Sequence, residues 1–494
     1  MARRIAAGAP LPGIEHLVVV MLENRSFDNV LGMLYAPSSS FDGVPLNFPN
    51  EYRDFVKKYT VYPTNDVPSG NSIYVTPMPD PGETNTDMHK QIFGYHKDSA
   101  PMSGFAQNYS DVLLKVRGNA GDVMVYFTPA QLPVTSFLAT FAVSDQWFAS
   151  GPVQTFPNRM FCHCGTPGLS HLHKKPTAAL NDPDYLVHAL KSKLATVYGS
   201  VPDPSIFQLL DGTGGPDPSN WKVYFHDAPL SALNEYVYNA WNASSPCVSS
   251  FNSVDYDPKY GTTFLEDVIG GNLPIYSFIE PRYFSNYSTE GLLPNSNHPG
   301  SSRYVQYLGS IGGPDIDVRQ GELLLLDIYA TLLLNYDLFK STLLVVTYDE
   351  HGGLFDHVPP GSAVSPFASA VADGDTYDMF GVRVPTFFVN PAIPPGTIYR
   401  PPQGSSFDHT SIIATLCAQF GLDGPLTARD GAAPVLKGLI PSTPKYRSRE
   451  ELAPPASLEH WSSTVPTTSV KAGPRKTVEQ HQAMMAERLR HKAK

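Results

Sequence analysis

Two segments constrain the fold of this 494-residue chain more than any others: Leu17-Val-Val-Val-Met-Leu22 before Glu23-Asn24, and Thr342-Leu-Leu-Val-Val-Thr-Tyr348 before Asp349-Glu350. Each is apolar at successive rather than alternate positions, the pattern of a strand covered by helices on both faces. Each then ends abruptly in oxygen-bearing side chains. In open α/β sheets ligands bind beyond the carboxyl ends of the strands, and both polar pairs fall there. The expectation is an α/β fold with a functional site at the carboxyl edge of its sheet.

Further strands are expected at residues 275–280 and 384–390, the second within VPTFFVN. Thr128-Pro129 reads as a cap followed by proline, opening a helix that runs to about Phe141. Leu323, Leu326, Ile328, Leu332 and Leu333 mark a sheet-packing helix within residues 321–339, and residues 406–420 read as another, stopped by Gly421. With 47 Pro and 38 Gly, long ordered loops are expected over the functional face, in residues 41–82, 359–375 and 391–405. Beyond about Gly431 the chain turns Pro/Ser/Thr-rich. The main domain is therefore placed at residues 14–430, with 431–494 as a peripheral extension.

The composition, 42% hydrophobic and 11% aromatic, suits a large core and argues against a disordered chain. The net charge of −11 argues against a nucleic-acid binder, which needs clustered cations to displace counterions from phosphates. From Val470 onward seven Lys/Arg meet two acids, a local +5 that leaves the body near −16. This basic end reads as a solvated tail, with peripheral contact to an anionic membrane surface as the alternative. No apolar run reaches 18 residues, so no membrane-spanning segment is expected. The start, MARRIAAGAPLPG, has two arginines but no apolar stretch of secretory length, which leaves a cytoplasmic protein or a mature secreted form. Cys162, Cys164, Cys247 and Cys417 read as structural thiols, being too unevenly spaced for a disulfide scaffold or zinc site.

Three of the four strand-end residues are carboxylates, which would repel one another unless a divalent cation sits between them. For either pair alone, capping of the next helix is the competing reading. In the turn GPVQTFPNR, Thr155 offers a hydroxyl held in a rigid frame, and a cation could activate it without a histidine base. Asn158, three residues on, could donate to a phosphoryl oxygen. His298, His351, His357 and His409 lie in polar motifs, and each competes with a purely structural reading. HExxH, G-x-S-x-G, the P-loop and G-x-G-x-x-G are all absent.

Taken together, several strings resemble the phosphoesterase family of bacterial phospholipases C, plant non-specific phospholipases C and related acid phosphatases. They are IEHLVVVMLENRSFDNVLG (14–32), PDPGETNTDMHKQIFG (79–94), MSGFAQNY (102–109), FAVSDQWFASGPVQTFPNRMF (141–161), IYSFIEPRYF (275–284), NHPG with DVRQGE (297–322), TYDEHGGLFDHVPP (347–360), GVRVPTFFVNP (381–391) and FDHTSIIATL (407–416). The resemblance implies an alkaline-phosphatase-like three-layer α/β/α sandwich with long loops over the carboxyl edge of the sheet. It implies one divalent metal ion (Ca, Mg, Mn or Zn) on Glu23, Asn24, Thr155, Asp349 and Glu350. Thr155 would also be the nucleophile, with Asn158 and His298 holding the phosphoryl group. Where many members carry a histidine after the Asp80-Pro81-Gly82 turn, this chain has Glu83, which would serve as a high-pKa acid or a further ligand. Where many carry a second histidine after His298, it has Ser301-Ser302. The implied activity is phospholipase C-type hydrolysis of phosphodiesters through a threonine phospho-enzyme, with His298 as general acid. A monoester-cleaving acid phosphatase is the alternative, and a non-catalytic phosphate-binding member is the third reading.

Overall fold

The computed structural model describes residues 5–465 except 55, 95, 97–98, 114–117, 169–202, 228, 253–260, 284–292, 300–316 and 368–375. Its centre is an eight-stranded sheet. The strands are β1 (His16–Leu22), β4 (Ala142–Ser144), β5 (Trp221–Phe225), β6 (Val248–Ser250), β7 (Tyr276–Ile279), β8 (Thr342–Tyr348), β9 (Thr386–Val389) and β10 (Thr397–Ile398), in spatial order β10-β4-β9-β8-β1-β7-β5-β6. A separate hairpin pairs β2 (Asn50–Arg53) with β3 (Lys58–Val61). β1 is parallel to both β7 and β8, and β9 alone runs against its sheet neighbours β8 and β4. Every residue of β7, β8 and β9 is buried, as unbroken apolar runs require.

Two groups of helices cover the sheet and make the sandwich three-layered. In one, Arg319–Leu334 packs on Pro133–Ala139 and Phe264–Gly270; in the other, Thr155–Cys164 packs on Ile206–Asp211 and Thr410–Phe420. The helix expected from Thr128 starts later, at Pro133, because residues 128–131 close a turn in which the Gln131 amide donates to the Thr128 carbonyl. The helix expected over 321–339 breaks at Asn335, whose side chain caps a second segment, Tyr336–Lys340. Gly421 ends Thr410–Phe420 in the left-handed conformation, as expected.

A second, smaller apolar cluster, including Val44, Ile92, Phe105, Tyr109, Phe355 and Val382, lies under the loops and gives them a core of their own. The β2–β3 hairpin lies inside residues 41–82, expected as loop; its exposed side chains, Glu51, Arg53, Lys58 and Thr60, are polar, so no apolar run marks it. Beyond residue 430, Leu436, Leu439, Ile440, Leu452 and Leu458 join the main core, and Tyr329 Oη donates to the Leu452 carbonyl at 2.6 Å. The basic tail lies outside the described residues. Among the described residues no helix is long and apolar enough to cross a membrane, and all four cysteines are free thiols.

Candidate active site

The register of the central strands brings the two polar pairs together. Leu22 of β1 is paired with Tyr348 of β8, so Glu23-Asn24 and Asp349-Glu350 leave the sheet side by side. Asp349 Oδ1 then accepts from the backbone N–H of Asn24 at 3.0 Å and of Glu350 at 2.8 Å. Asn24 sits in the left-handed region at φ 58°, which asparagine tolerates better than most residues. The turn after Glu350 must pass close above it. A Cβ on Gly352 would stand 2.2 Å from the Asn24 carbonyl oxygen, and one on Gly353 2.6 Å from Pro81, so the glycine pair seats Asn24 against both loops.

Thr155 is the first residue of the helix Thr155–Cys164, whose N-terminal turn points backbone N–H groups and the positive end of its dipole toward the cluster. Thr155 Oγ1 donates to Asn24 Oδ1 at 3.1 Å, and Asn24 Nδ2 donates to Glu83 Oε1 at 2.6 Å. One asparagine side chain thus links the expected nucleophile to Glu83. Asn158 is differently engaged. Its Nδ2 lies 2.6–3.3 Å from the carbonyls of Gly151, Val153 and Gln154, and its Oδ1 accepts from Gly151 N–H at 3.0 Å. It therefore shapes the Thr155 turn, and contact with a phosphoryl oxygen would require it to exchange one of those carbonyls.

Glu83 enters from the turn before the helix Asn85–Phe93 and meets His298 from the loop after β7. His298 Nε2 is 4.0 Å from Glu83 Oε1, while its Nδ1 is 3.8 Å from Asp80 Oδ1 and donates to the Pro299 carbonyl at 2.8 Å. Ligand atoms of Asp80, Glu83 and His298 all lie within 4.8 Å of one another. Asp80 was not singled out from the sequence, although it stands in the same Asp-Pro-Gly turn as Glu83.

The electrostatics of this arrangement call for positive charge. Burial pushes the Glu23 carboxyl up to about 7, with His298 opposing the shift and the Asp349 charge adding to it. Burial and the Asp80 charge push Glu83 well above the carboxylate range, and burial with the charges of Glu83 and Asp349 does the same to Glu350. Glu350 Oε1 is buried without a hydrogen-bond partner. An orphaned buried oxygen among raised carboxyls is a poor arrangement for protein alone and suits a hard cation; yet among the described residues Glu23, Asp349 and Glu350 do not bring their ligand atoms within 4.8 Å of one another, whereas Asp80, Glu83 and His298 do.

The other histidines take supporting places. His351 Nε2 donates to Gln91 Oε1 at 2.8 Å, and Gln91 Nε2 donates to the Gly82 carbonyl at 2.7 Å, bracing the Glu83 turn; burial pushes this imidazole down to about 3. His409 receives the Trp147 indole N–H at Nδ1, and its Nε2–H donates to the Asp349 carbonyl at 2.7 Å, which fixes the end of β8. His357 is bound in a separate network: Nδ1 to Asp28 Oδ2 at 2.7 Å and Nε2 to Asp42 Oδ1 at 3.0 Å. Asp28, Asp356 and His357 also cluster closely, but the Arg383 guanidinium already donates to both aspartates at 2.9 Å, so an arginine supplies the positive charge there.

Two buried arginines central to the site carried no signal in the sequence beyond their place in the motifs. Arg25 donates to the carbonyls of Asn297 at 2.9 Å and Thr76 at 2.8 Å, tying together the loops that carry His298 and Glu83. Arg159 donates to Asp349 Oδ2 at 3.1 Å. Neither contact has a local sequence spacing, so only the tertiary structure shows them.

A model of the phosphoesterase family matches residues 14–423. Non-specific phospholipase C4 of Arabidopsis thaliana is 31% identical over 464 residues, covering 90% of this chain and 75% of that protein. Non-specific phospholipase C1 of the same plant is 32% identical over 442 residues, covering 85% and 69%. Phospholipase C B of Mycobacterium tuberculosis is 27% identical over 465 residues, covering 85% and 76%. With the carboxyl-edge cluster in place, the match over most of the chain leads to one conclusion: this chain belongs to the phosphoesterase family and is a phosphoric ester hydrolase.

Proposed function

We propose that this protein is a metal-dependent hydrolase of phosphodiesters, of the phospholipid-headgroup kind, acting through a phosphothreonine at Thr155. The observation that carries the reading is Thr155 Oγ1 at a helix N-terminus, 3.1 Å from Asn24 Oδ1 and beside buried carboxyls that need a cation. Glu23, Asn24, Asp349 and Glu350, with Thr155 Oγ1, are the residues that would hold one divalent ion. When bound, that ion supplies positive charge that lowers the hydroxyl pKa and offsets charge on the phosphoryl oxygens. Their oxygen donors suit Ca, Mg or Mn, and Zn also accepts carboxylates.

The chain's own groups divide the remaining work. Thr155 Oγ1, its proton released to solvent beforehand, forms a bond to phosphorus as the bond to the leaving oxygen breaks, and the N–H groups of the first helical turn would face the phosphoryl oxygens. His298 holds its Nδ1 proton on the Pro299 carbonyl, so Nε2 is the nitrogen that protonates the leaving oxygen and later takes a proton from water. Water then attacks phosphorus and frees Thr155. Asp80 and Glu83 flank the ring, with Asp80 Oδ1 3.8 Å from Nδ1 and Glu83 Oε1 4.0 Å from Nε2. Asn158 keeps the Thr155 turn in shape and reaches a phosphoryl oxygen by exchanging one carbonyl.

The names of the relatives, plant and mycobacterial phospholipases C, support a diester substrate. The test compares nitrophenyl phosphorylcholine with nitrophenyl phosphate, on wild type and on Thr155→Ala. The expected result is diester preference, a loss of at least about 10³-fold in Thr155→Ala, and a trapped phosphopeptide containing Thr155. Monoester preference would replace the substrate reading with the acid-phosphatase one. Turnover of Thr155→Ala within about a hundredfold of wild type would refute the nucleophile.

A further inference from the structure

The helix that carries Thr155 carries Arg159 one turn later, and the guanidinium of Arg159 is wholly buried. It makes a contact on every side. Nε donates to Asp349 Oδ2 at 3.1 Å, Nη1 donates to Glu280 Oε2 at 3.1 Å, and Nη2 donates to the carbonyls of Met21 at 3.2 Å and Leu22 at 3.4 Å. Met21 and Leu22 end β1, Glu280 follows β7, and Asp349 follows β8. These three strands are adjacent in the sheet, so one planar group gauges the nucleophile helix against three strand ends.

Glu280 is the second half of the device. Besides Arg159 it accepts from Ser231 N–H at 2.8 Å, Ser231 Oγ at 2.6 Å and Tyr283 Oη. Since Ser231 gives its only hydroxyl proton to Glu280, His163 Nε2 must be the donor in its 3.1 Å contact with Ser231 Oγ. His163 lies in the last turn of the same helix. The helix is therefore tied to a single carboxylate at its middle, by Arg159 directly, and in its last turn, by His163 through Ser231. Arg159, His163, Ser231 and Glu280 are all fully buried.

We propose that Arg159 and Glu280 act as one positioning unit that sets Thr155 in register with Asn24 and Asp349, a proposal that rests on Thr155 as the nucleophile. A lysine at 159 keeps the charge but has no fork with which to touch three strand ends at once. The consequence is specific: the fold and substrate binding survive, while the approach of the hydroxyl to phosphorus loses its alignment. Misplacement of about 1 Å in such a step lowers the rate by about 10²-fold.

The test measures kcat and KM on nitrophenyl phosphorylcholine for full-length Arg159→Lys, Glu280→Gln, Ser231→Ala and the Arg159→Lys/Glu280→Gln double variant, with thermal melts of each. The expected result is folded protein, a kcat loss of about 10²-fold in Arg159→Lys and Glu280→Gln with KM within threefold, and a lesser loss in Ser231→Ala. The double variant should fall no more than about threefold below Arg159→Lys, because members of one unit are not additive. Retention of kcat within fivefold in folded Arg159→Lys, or losses that multiply in the double variant, would overturn the proposal. If Arg159→Lys fails to fold, Glu280→Gln and Ser231→Ala carry the same kcat against KM comparison. Thr155→Ala separates the two readings: an active Thr155→Ala beside an inactive Arg159→Lys removes the nucleophile, while an inactive Thr155→Ala beside an active Arg159→Lys removes the positioning unit.

Discussion

Gly352→Ala is the sharpest single perturbation of the site, because it acts on Asn24 without removing any proposed ligand. The added Cβ would lie 2.2 Å from the Asn24 carbonyl oxygen, 2.8 Å from its carbonyl carbon and 2.9 Å from its Cβ, all shorter than the 3.0 Å that real contacts respect. Relief on the oxygen alone needs a movement of at least 3.0 − 2.2 = 0.8 Å. Backbone makes up most of that contact, so no flexible side chain can absorb it. Gly352 also sits at φ 63°, where alanine costs about 1–2 kcal/mol. Asn24 holds Thr155 on one side of its amide and Glu83 on the other, and a shift near 1 Å there lowers turnover by about 10²-fold. Steady-state kinetics on an aryl phosphodiester, beside urea unfolding, measures both effects. Gly404→Ala is the control, since Gly404 has φ 84° and nothing within 4 Å of its added Cβ. It should show the strain without the kinetic loss. Gly352→Ala turning over within threefold of wild type, or Gly404→Ala losing as much activity, would show that the glycine does not seat Asn24.

Two further predictions concern the Arg383 network. For His357, burial lowers the pKa, but hydrogen bonds to Asp28 and Asp42 outweigh it and raise the imidazole to about 9. Because the folded value lies above the unfolded one, its contribution is complete below about pH 6.5 and is lost as pH rises through 9, on the order of 3 kcal/mol in all. Urea unfolding of wild type from pH 6 to 10 should show this decline, and a His357→Asn variant with the same slope would exclude His357 as its source. Arg383→Met takes the guanidinium from both Asp28 and Asp356, leaving Asp28 only His357 and Asp356 no ion pair among the described residues, and should cost about 3–5 kcal/mol. An unfolding midpoint unchanged from wild type would mean that the network relaxes by taking up protons or water.

The sequence by itself determined the sheet's central strands, their burial on both faces and the residues at their ends, because unbroken apolar runs and their termination are local patterns. It also singled out the turn that holds Thr155, since rigid turns have a residue signature. The motifs reached the family for the same reason. The tertiary structure alone decided what those residues do to one another. Arg25, Arg159, Glu280 and Asp80 carry no spacing that marks them, yet contacts across as many as 272 positions in sequence, such as Arg25 to Asn297, hold the loops of the site together. His357 looked in sequence like its neighbours in the motif and proved to belong to an ion network, because the side on which Asp28 and Arg383 approach is set by packing. Asn158 likewise reads as a phosphoryl donor from its spacing, while its surroundings engage it in the turn. Local pattern fixes which chemistry is available at an edge; the convergence of buried charges on that edge depends on distances between segments far apart in the chain, and those exist only once it has folded.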